Sequence, residues 1–485
     1  MKKKSLAINA FYSCIKTLTT IIFPLITYPY ITRILSVEDI GSINFGHSIV
    51  SYFSLLAALG INTFAVRNGS QIRDDENDLN IFSRRIFTIN IVTTVISCAL
   101  LIVLVFLPTR IADFRAIILI QGVTVALSPF AVTWLYTIEE DFRYITLRSF
   151  FIYLLSLVLM FIFVKSESDV YLYVILTTAS TSFANIFNFI HAKKYVKLGL
   201  IRDTHWKEYF RPIMVFFANN IATVIYLNSD TTILGLLSGS YSVGLYSVAV
   251  KIYSIVKQLF NAVIATTIPR LAYLYNRDRQ QFGSLVQKLV SVTLFFVVPA
   301  SFGMVILRKE IVMLISGERY IQASPTLAIL SIAIIFAVFA NIFANGVLIC
   351  LGKERYVMKA TIISAIVNIS MNFIFIPSLS QNGAAMTTLV AEIIVCCFSF
   401  HYCKDIIMEL IDVKEIRNVL ISSFLMLGFG IIFYRFVSLQ MLVLRIIVII
   451  LTSSTVYLIC MLLFKDKVLK MLFDVIKSKS RIHNK

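Results

Sequence analysis

Apolar residues run along this chain in long unbroken blocks, without the two-residue alternation of a half-buried strand. Clusters of charge, Pro or Gly separate the blocks, and most are near the ~20 residues a helix needs to cross a bilayer core. They predict fourteen spans, at 9–32, 42–66, 86–107, 115–137, 149–164, 170–192, 212–237, 244–269, 285–306, 324–350, 358–376, 383–403, 418–437 and 442–464. Two connections carry a pattern of their own. Residues 67–85 mix Arg73, Asp74, Asp75, Glu76 and Asp78 with Leu79, Ile81 and Phe82, which predicts a short helix lying along one membrane surface. Residues 308–325, with Ile311, Leu314 and Ile315, are expected at the opposite interface. Met1-Lys-Lys-Lys4 begins as a signal peptide does, but the apolar stretch after it is too long, carries Lys16 and lacks an A-x-A-like site. It reads as the first, uncleaved span.

Composition sharpens this picture. The chain is 58% hydrophobic and 14% charged over 485 residues, where a soluble domain is about half apolar and about one quarter charged. The fold class is therefore an all-α polytopic membrane protein. The net charge of +18 is spread over short loops, which suits an anionic membrane surface and not a nucleic acid. With the N-terminus inside, only Arg33, Arg110, Arg115, Lys165, Arg308, Lys309, Arg319 and Arg435 fall in loops on the far side, and most of the 44 Lys and Arg fall in cytoplasmic segments. The positive-inside bias then places both termini in the cytoplasm. The seven cysteines form no CxxC or Cys/His cluster, so they read as small buried apolar residues and support no metal site.

An internal repeat organises the spans. Ile34-Leu-Ser-Val-Glu-Asp-Ile-Gly41 returns as Leu236-Leu-Ser-Gly-Ser-Tyr-Ser-Val-Gly244, and at constant offset Ser51 matches Ser254 and Arg67 matches Arg270. Leu159-Met-Phe-Ile-Phe163 returns as Met371-Asn-Phe-Ile-Phe375. Two echoes in one order predict two six-helix lobes, 1–200 and 201–405, with spans 13 and 14 and a basic tail in 406–485. Six spans return the chain to its starting side, so the lobes are related by a pseudo-twofold along the membrane normal, with the site expected between them.

Charges inside spans cost about 2.5–3.5 kcal/mol each on insertion scales and by default face a cavity or a partner. Lys16, Asp230, Lys251, Lys257, Glu392 and Arg445 are such charges. Helical spacing sorts their neighbours into stripes. Asn9, Ser13, Lys16 and Thr20 share one face of span 1, and Asn219, Thr223, Tyr226 and Asp230 share one of span 7. Ser247, Lys251, Ser254 and Gln258 do so on span 8, where Lys257 falls off the stripe; span 2 offers Asn44, Ser48 and Ser51. Small polar residues also glue helices together, but stripes on the first two helices of each lobe favour a hydrated, net-basic cavity. Asp230 and Lys251 can serve that cavity or pair with each other. Arg33, Arg67 and Arg270, just beyond spans 1, 2 and 8, join Glu392 and Arg445 as candidates for gating or coupling. No nucleotide-binding loop, catalytic triad or metal cluster is legible, which points to a transporter and not an enzyme.

Pro24-Leu-Ile-Thr-Tyr-Pro-Tyr-Ile-Thr-Arg-Ile-Leu35, with Gly41, Tyr52, Gly60-Ile-Asn62 and Arg67, resembles the N-terminal signature of Wzx-type polysaccharide repeat-unit flippases. These belong to the multidrug/oligosaccharidyl-lipid/polysaccharide (MOP) exporter superfamily. Trp134-Leu-Tyr136 with Glu139, Phe142, Tyr144-Ile-Thr146 and Arg148 looks like that family's span 4–5 junction. Gly317-Glu-Arg-Tyr320, Gly352-Lys-Glu354, Asn368 with Asn372, and Gly383-Ala-Ala385 extend the likeness over most of 1–405. Thr137-Ile138 departs from the Gln-Gly common there, and the first two spans lack the extra basic residues of the lipid II branch, Lys16 apart. The resemblance implies a MATE-like fold and export of an undecaprenyl-diphosphate-linked oligosaccharide, an O-antigen or other surface-polysaccharide unit, across the bacterial cytoplasmic membrane. It implies membrane lipids, the polysaccharide polymerase and the chain-length regulator as partners, no nucleic acid and no cofactor, with H+ or Na+ coupling open. The alternatives are a related drug or cation antiporter, in which Asp230 or Glu392 would hold the ion, and a scaffold that transports nothing.

Overall fold

The computed structural model describes residues 6–410, 412–436, 440–471 and 474, and among them there is no strand. The protein divides into two compact units, Met1–Gly244 and Leu245–Lys485. The first holds α1 (Leu6–Ile34), α2 (Val37–Ala58), α3 (Ile61–Gly69), α4 (Glu76–Phe106), α5 (Arg115–Ala126), α6 (Thr133–Ile138), α7 (Phe142–Phe163), α8 (Val170–Ala192) and the first part of α9 (Trp206–Arg277). The second holds the rest of α9, then α10 (Arg279–Ile306), α11 (Arg308–Ser316), α12 (Ser324–Asn341), α13 (Glu354–Leu410), α14 (Val413–Phe436) and α15 (Leu442–Leu463).

Among the described residues ten helices are long and apolar enough to cross a membrane, or eleven when the bent pair Arg110–Ala126 and Ser128–Ile138 counts as one span. Two of the ten run for 72 and 57 residues. Straight, the longer would reach roughly 110 Å, far beyond a ~30 Å core. Each is broken once, at Gly239 (φ 83°) and at Ser380 (φ 47°, ψ −126°), so each makes two spans. With those counted twice and the 29-residue α1 included, the helices account for the fourteen predicted segments. Large apolar side chains such as Phe151, Val215 and Ile374 stand exposed along them, the surface a bilayer would cover. This is a multi-pass membrane protein.

Three predicted elements differ in the structure. No separate surface helix forms over 67–85: the chain breaks at left-handed Leu59 and Gly60, makes the short α3, and starts α4 at Glu76. Asp75 caps α4, accepting from the amides of Asn77 and Asp78 at 2.9 and 3.0 Å. Leu79, Phe82 and Ile86 then continue one buried face into the span, so the apolar stripe packs on the bundle instead of on lipid. The fifth span starts earlier than 149, because α7 takes in Arg148. The span predicted at 115–137 is bent by 44° at Leu127, with Pro129 in the 3-10 turn that follows the break and Val132 left-handed. Over 308–325 the structure has α11 and a 3-10 turn, Glu318–Ala323.

In the first unit the core is aromatic: Phe64, Phe82, Trp134 and Tyr136 pack with Ile61, Ile86 and Ile213. In the second, Ile306, Leu307 and Ile449 anchor α10 and α15, with Tyr434 and Leu427 of α14 packed on them.

Candidate functional site

The first unit brings α2 against the middle of α9. Ser36 caps α2 in a reciprocal pair with Asp39, whose amide donates to the Ser36 hydroxyl at 3.0 Å while its carboxylate accepts from the Ser36 amide at 3.3 Å. The repeat partner of that helix start follows the break at Gly239. There the helix axes approach until backbone meets backbone. A Cβ at Gly41 would overlap the Ser240 carbonyl, and one at Gly244 would overlap the Val37 carbonyl. Val37 and Ser240 each stand four residues before a paired glycine. Residue 41 therefore packs on the counterpart of residue 37, and 244 packs on 37 itself. This is the reciprocity a twofold relation produces, and it is the small-residue contact that lets membrane helices close up.

Beyond the crossing, polar contacts continue the seam. Thr232 donates to Ser48 at 2.9 Å and shares a hydrogen bond with Tyr52 at 3.0 Å. Arg110 donates to the Leu236 carbonyl at 2.7 Å.

The predicted site residues fall unevenly on this frame. The side chains of Asn9, Ser13, Lys16, Thr20 and Asn219 lie outside the described residues. Ser48 is buried, donating to the Phe45 carbonyl at 2.7 Å. Thr223 is exposed, Tyr226 half-buried and Asp230 buried. Lys251 and Ser254 are half-buried and Gln258 exposed. Arg33 and Arg67 are exposed at helix ends, Arg33 donating back to Pro29 at 3.4 Å, and Arg270 is exposed within the last turns of α9.

Glu392 and Arg445 are not isolated charges. In the second unit Lys257 meets Glu392 at 2.6 Å, and Tyr253 donates to the same carboxylate oxygen at 2.7 Å. Lys257, off the polar stripe by helical spacing, is thus the cation that neutralises a buried carboxylate. Tyr253 and Lys257 are four residues apart, a spacing that hinted at a shared partner. Arg445 reaches buried Glu310 at 3.6 Å, and Tyr434 donates to that carboxylate at 2.6 Å. A neutral ladder runs beside the first pair: Thr387 donates to Asn372 at 2.6 Å, and Asn372 to Asn368 at 3.2 Å.

Sequence reasoning placed Arg148 at a span boundary and missed its role. It donates to the Ala184 carbonyl and to Asn188, both at 2.8 Å, and so ties α7 to α8. Asn188 passes its amide to the Ala131 carbonyl at 2.8 Å, and Tyr136 donates to the Asn188 carbonyl. Beside this knot Tyr144 stacks on His191 with ring centroids 3.8 Å apart, and Tyr195 donates to Asp141 at 2.7 Å. Burial pushes the pKa of the Tyr195 hydroxyl up, and its hydrogen bond to Asp141 and the charge of that carboxylate add to the rise.

A family model described as "Polysaccharide biosynthesis protein" matches residues 6–274, more than half of the chain. The chain belongs to the polysaccharide biosynthesis protein family. A second model, MatE, matches 216–374. A protein of Escherichia coli (strain K12) named as an O-antigen transporter is 24% identical over 409 residues, 83% of this chain and 98% of its own. The fold is that of "Lipid II flippase MurJ, inward closed conformation", with TM-score 0.75 at 17% identity over 95% of this chain and 100% of that one. It is also that of a multidrug resistance MATE family transporter of the MOP superfamily in an inward-facing conformation, with TM-score 0.61 at 13% identity over 80% and 94% of the two chains.

Much of what this polysaccharide-family chain shares with its signature is packing. Trp134 and Tyr136 are buried in the aromatic core, Arg148 braces α7 on α8, and Asn368 and Asn372 are buried in the neutral ladder. Gly41 belongs to the same signature and is the one of these residues whose lack of a side chain makes the α2–α9 crossing possible.

Proposed function

We propose that this chain moves an undecaprenyl-diphosphate-linked oligosaccharide, the repeat unit of a surface polysaccharide, from the inner to the outer leaflet of the bacterial cytoplasmic membrane by alternating access. One observation carries the reading. The polysaccharide-family match runs through 6–274, and that stretch contains both halves of the reciprocal glycine contact. Two repeat-related helix starts that touch through bare backbone can part without stranding a charge, as the gate of a rocking transporter must. Both termini face the cytoplasm on the positive-inside bias, and the polymerase and chain-length regulator of the same pathway are its partners.

Lys16 and Lys251 are the cations assigned to the diphosphate, with Asp230 orienting one of them. A lysine is a flexible point charge that can follow a moving phosphate, where a bidentate arginine clamp would hold it and slow release. An inside-negative potential favours outward movement of the anion by about 2.3 kcal/mol per charge per 100 mV, so no ATP is required, and H+ or Na+ coupling is the further expectation.

Deleting the gene tests the proposal. Surface glycan should disappear and the lipid-linked unit should accumulate on the cytoplasmic face. Wild-type protein should restore export, Lys16→Ala or Lys251→Ala should lower it about tenfold at normal membrane levels, as loss of one charge-assisted contact predicts, and Lys→Arg should keep part of it. Unchanged surface glycan after deletion would sink the proposal.

The MatE match over 216–374 favours a second reading, a drug or cation antiporter with Glu392 as the ion site. Lys257 already neutralises Glu392, which weighs against it. Deletion that leaves glycan intact and raises sensitivity to cationic drugs would decide for the antiporter.

A further inference from the structure

At one end of the second unit, where α10 gives way to α11 and α14 ends, three cations converge. Arg308, Lys309 and Arg435 line a pocket of about 200 Å³ with Tyr434, Ile431 and Ile306. On the fourteen-span topology the loops on this side carry only eight of the 44 Lys and Arg, and three of the eight meet here. Among the described residues Lys309 and Arg435 are exposed and make no hydrogen bond or ion pair, and Arg308 donates only to the Val305 carbonyl at the end of α10. The nearby carboxylate does not neutralise them. Glu310 is buried at 2% exposure and is taken by Arg445 and Tyr434.

A second, apolar cavity of about 440 Å³ adjoins the first and shares Ile306 with it. It lies between α10, α14 and α15, and its walls include Phe296, Pro299, Met426 and Leu458. Its volume is in the range of about 300–1,000 Å³ usual for ligand sites. The Tyr457 hydroxyl in its wall is already spent on the Phe295 carbonyl at 2.9 Å. Gly303 also lines it, and no atom lies within 4 Å of where a Cβ there would stand.

We propose that this pair of cavities is a binding site for an anionic glycerophospholipid, its phosphate held by Arg308, Lys309 and Arg435 and an acyl chain in the apolar groove. Charge complementarity fixes the head: three uncompensated cations at a helix-end rim, above a groove that offers hydrocarbon. The place in the chain fixes the kind of lipid. The family matches cover 6–274 and 216–374; Arg308 and Lys309 fall inside the second, but Arg435 and the α14 and α15 wall of the groove lie beyond both, so the site is completed only by the two appended helices, and this favours a resident lipid over the cargo.

Native mass spectrometry of the full-length protein in mild detergent, titrated with phosphatidylglycerol or phosphatidylethanolamine, tests this. Phosphatidylglycerol should be retained at least tenfold better by the wild type. Each Lys or Arg near an anionic surface is worth about fivefold, so Arg308→Ala with Lys309→Ala and Arg435→Ala should erase the preference. Gly303→Leu, which fills the groove with no clash at its Cβ, should lower occupancy by both lipids while leaving the three cations in place. A triple variant that still prefers phosphatidylglycerol overturns the proposal. So does glycerol phosphate competing as well as the whole lipid, which would make the site one for a free anion. Undecaprenyl phosphate displacing phosphatidylglycerol at equal concentration also overturns it, because the site would then serve the cargo.

Discussion

In the first unit α2 meets α9 through bare backbone at Gly41 and Gly244, while in the second α9 meets α13 through the Lys257–Glu392 pair, whose carboxylate is buried. The two contacts differ in what happens when the helices separate. Parting the glycine crossing exposes peptide groups that are already hydrogen-bonded within their helices, and loses only close packing. Parting the ion pair leaves a carboxylate in a low-dielectric interior, where removing one partner costs about 3–5 kcal/mol. A protein that must open somewhere and hold somewhere else gains from having both. The glycine crossing is suited to being made and unmade, and the charged cluster to keeping α9 and α13 together throughout.

The largest effect expected from this contrast is at Gly41. Gly41→Leu places a side chain in the Ser240 backbone, and overpacking against a partner that cannot yield costs typically 1–3 kcal/mol. If closure at this crossing is a step of the cycle, export should fall at least tenfold while membrane insertion stays normal. Surface-glycan display in the deletion strain reads the first and immunoblotting of membranes the second. Gly244→Leu should match it, as reciprocity demands. Normal export by either variant would remove the crossing from the mechanism.

A smaller effect is expected from Lys257→Ala, and it falls on stability. The Lys257 side chain is 26% exposed, so solvent screening reduces the loss to about 2 kcal/mol, below the range for a fully buried pair. Thermal unfolding in detergent should show it. Lys257→Met with Glu392→Gln should recover most of the loss, because neither charge is then stranded. A single variant that melts like the wild type would show that the pair holds nothing together.

The fold was more legible in the sequence than the site, for a physical reason. Span count depends on block lengths of apolar residues, which the bilayer thickness sets directly, and the chain shows them without any knowledge of contacts. The breaks at Gly239 and Ser380 and the bend at Leu127 leave those blocks intact. Which charge faces which depends on helix rotation and on partners far along the chain. Spacing alone set Lys257 aside, yet its partner lies 135 residues away. The same spacing gave Ser48 to a cavity, and its hydroxyl turns to Phe45 and Thr232. The repeat was the one signal that crossed this gap, since Gly41 and Gly244 align by offset and then touch through each other's fourth residue back.

A third kind of contact, at the surface, should give the smallest effect and sharpens the contrast from the other side. The connection between α8 and α9 is laced to the start of α4: Arg85 meets Asp203 at 3.0 Å, and the Ile201 amide donates to Thr88 at 3.0 Å. His205 closes the lacing, with Glu208 at 3.0 Å and Asp203 at 2.9 Å. The hydrogen bond to Glu208 is the main cause that raises its pKa above the usual value, and Asp203 adds to it, against desolvation and the Arg85 charge. A raised folded value means that the protonated ring is favoured in the folded state. Its contribution is complete below the unfolded value of about 6.5 and is lost as pH rises through the folded one. Because these charges are solvent-exposed, the effect on melting should be hard to detect, unlike that of Lys257. The ring itself will report it: of the five histidines, the NMR resonance that vanishes in His205→Asn should titrate above the usual value, and Glu208→Gln should bring it back down. A His205 resonance that titrates at or below the usual value would mean that the lacing is not closed in solution.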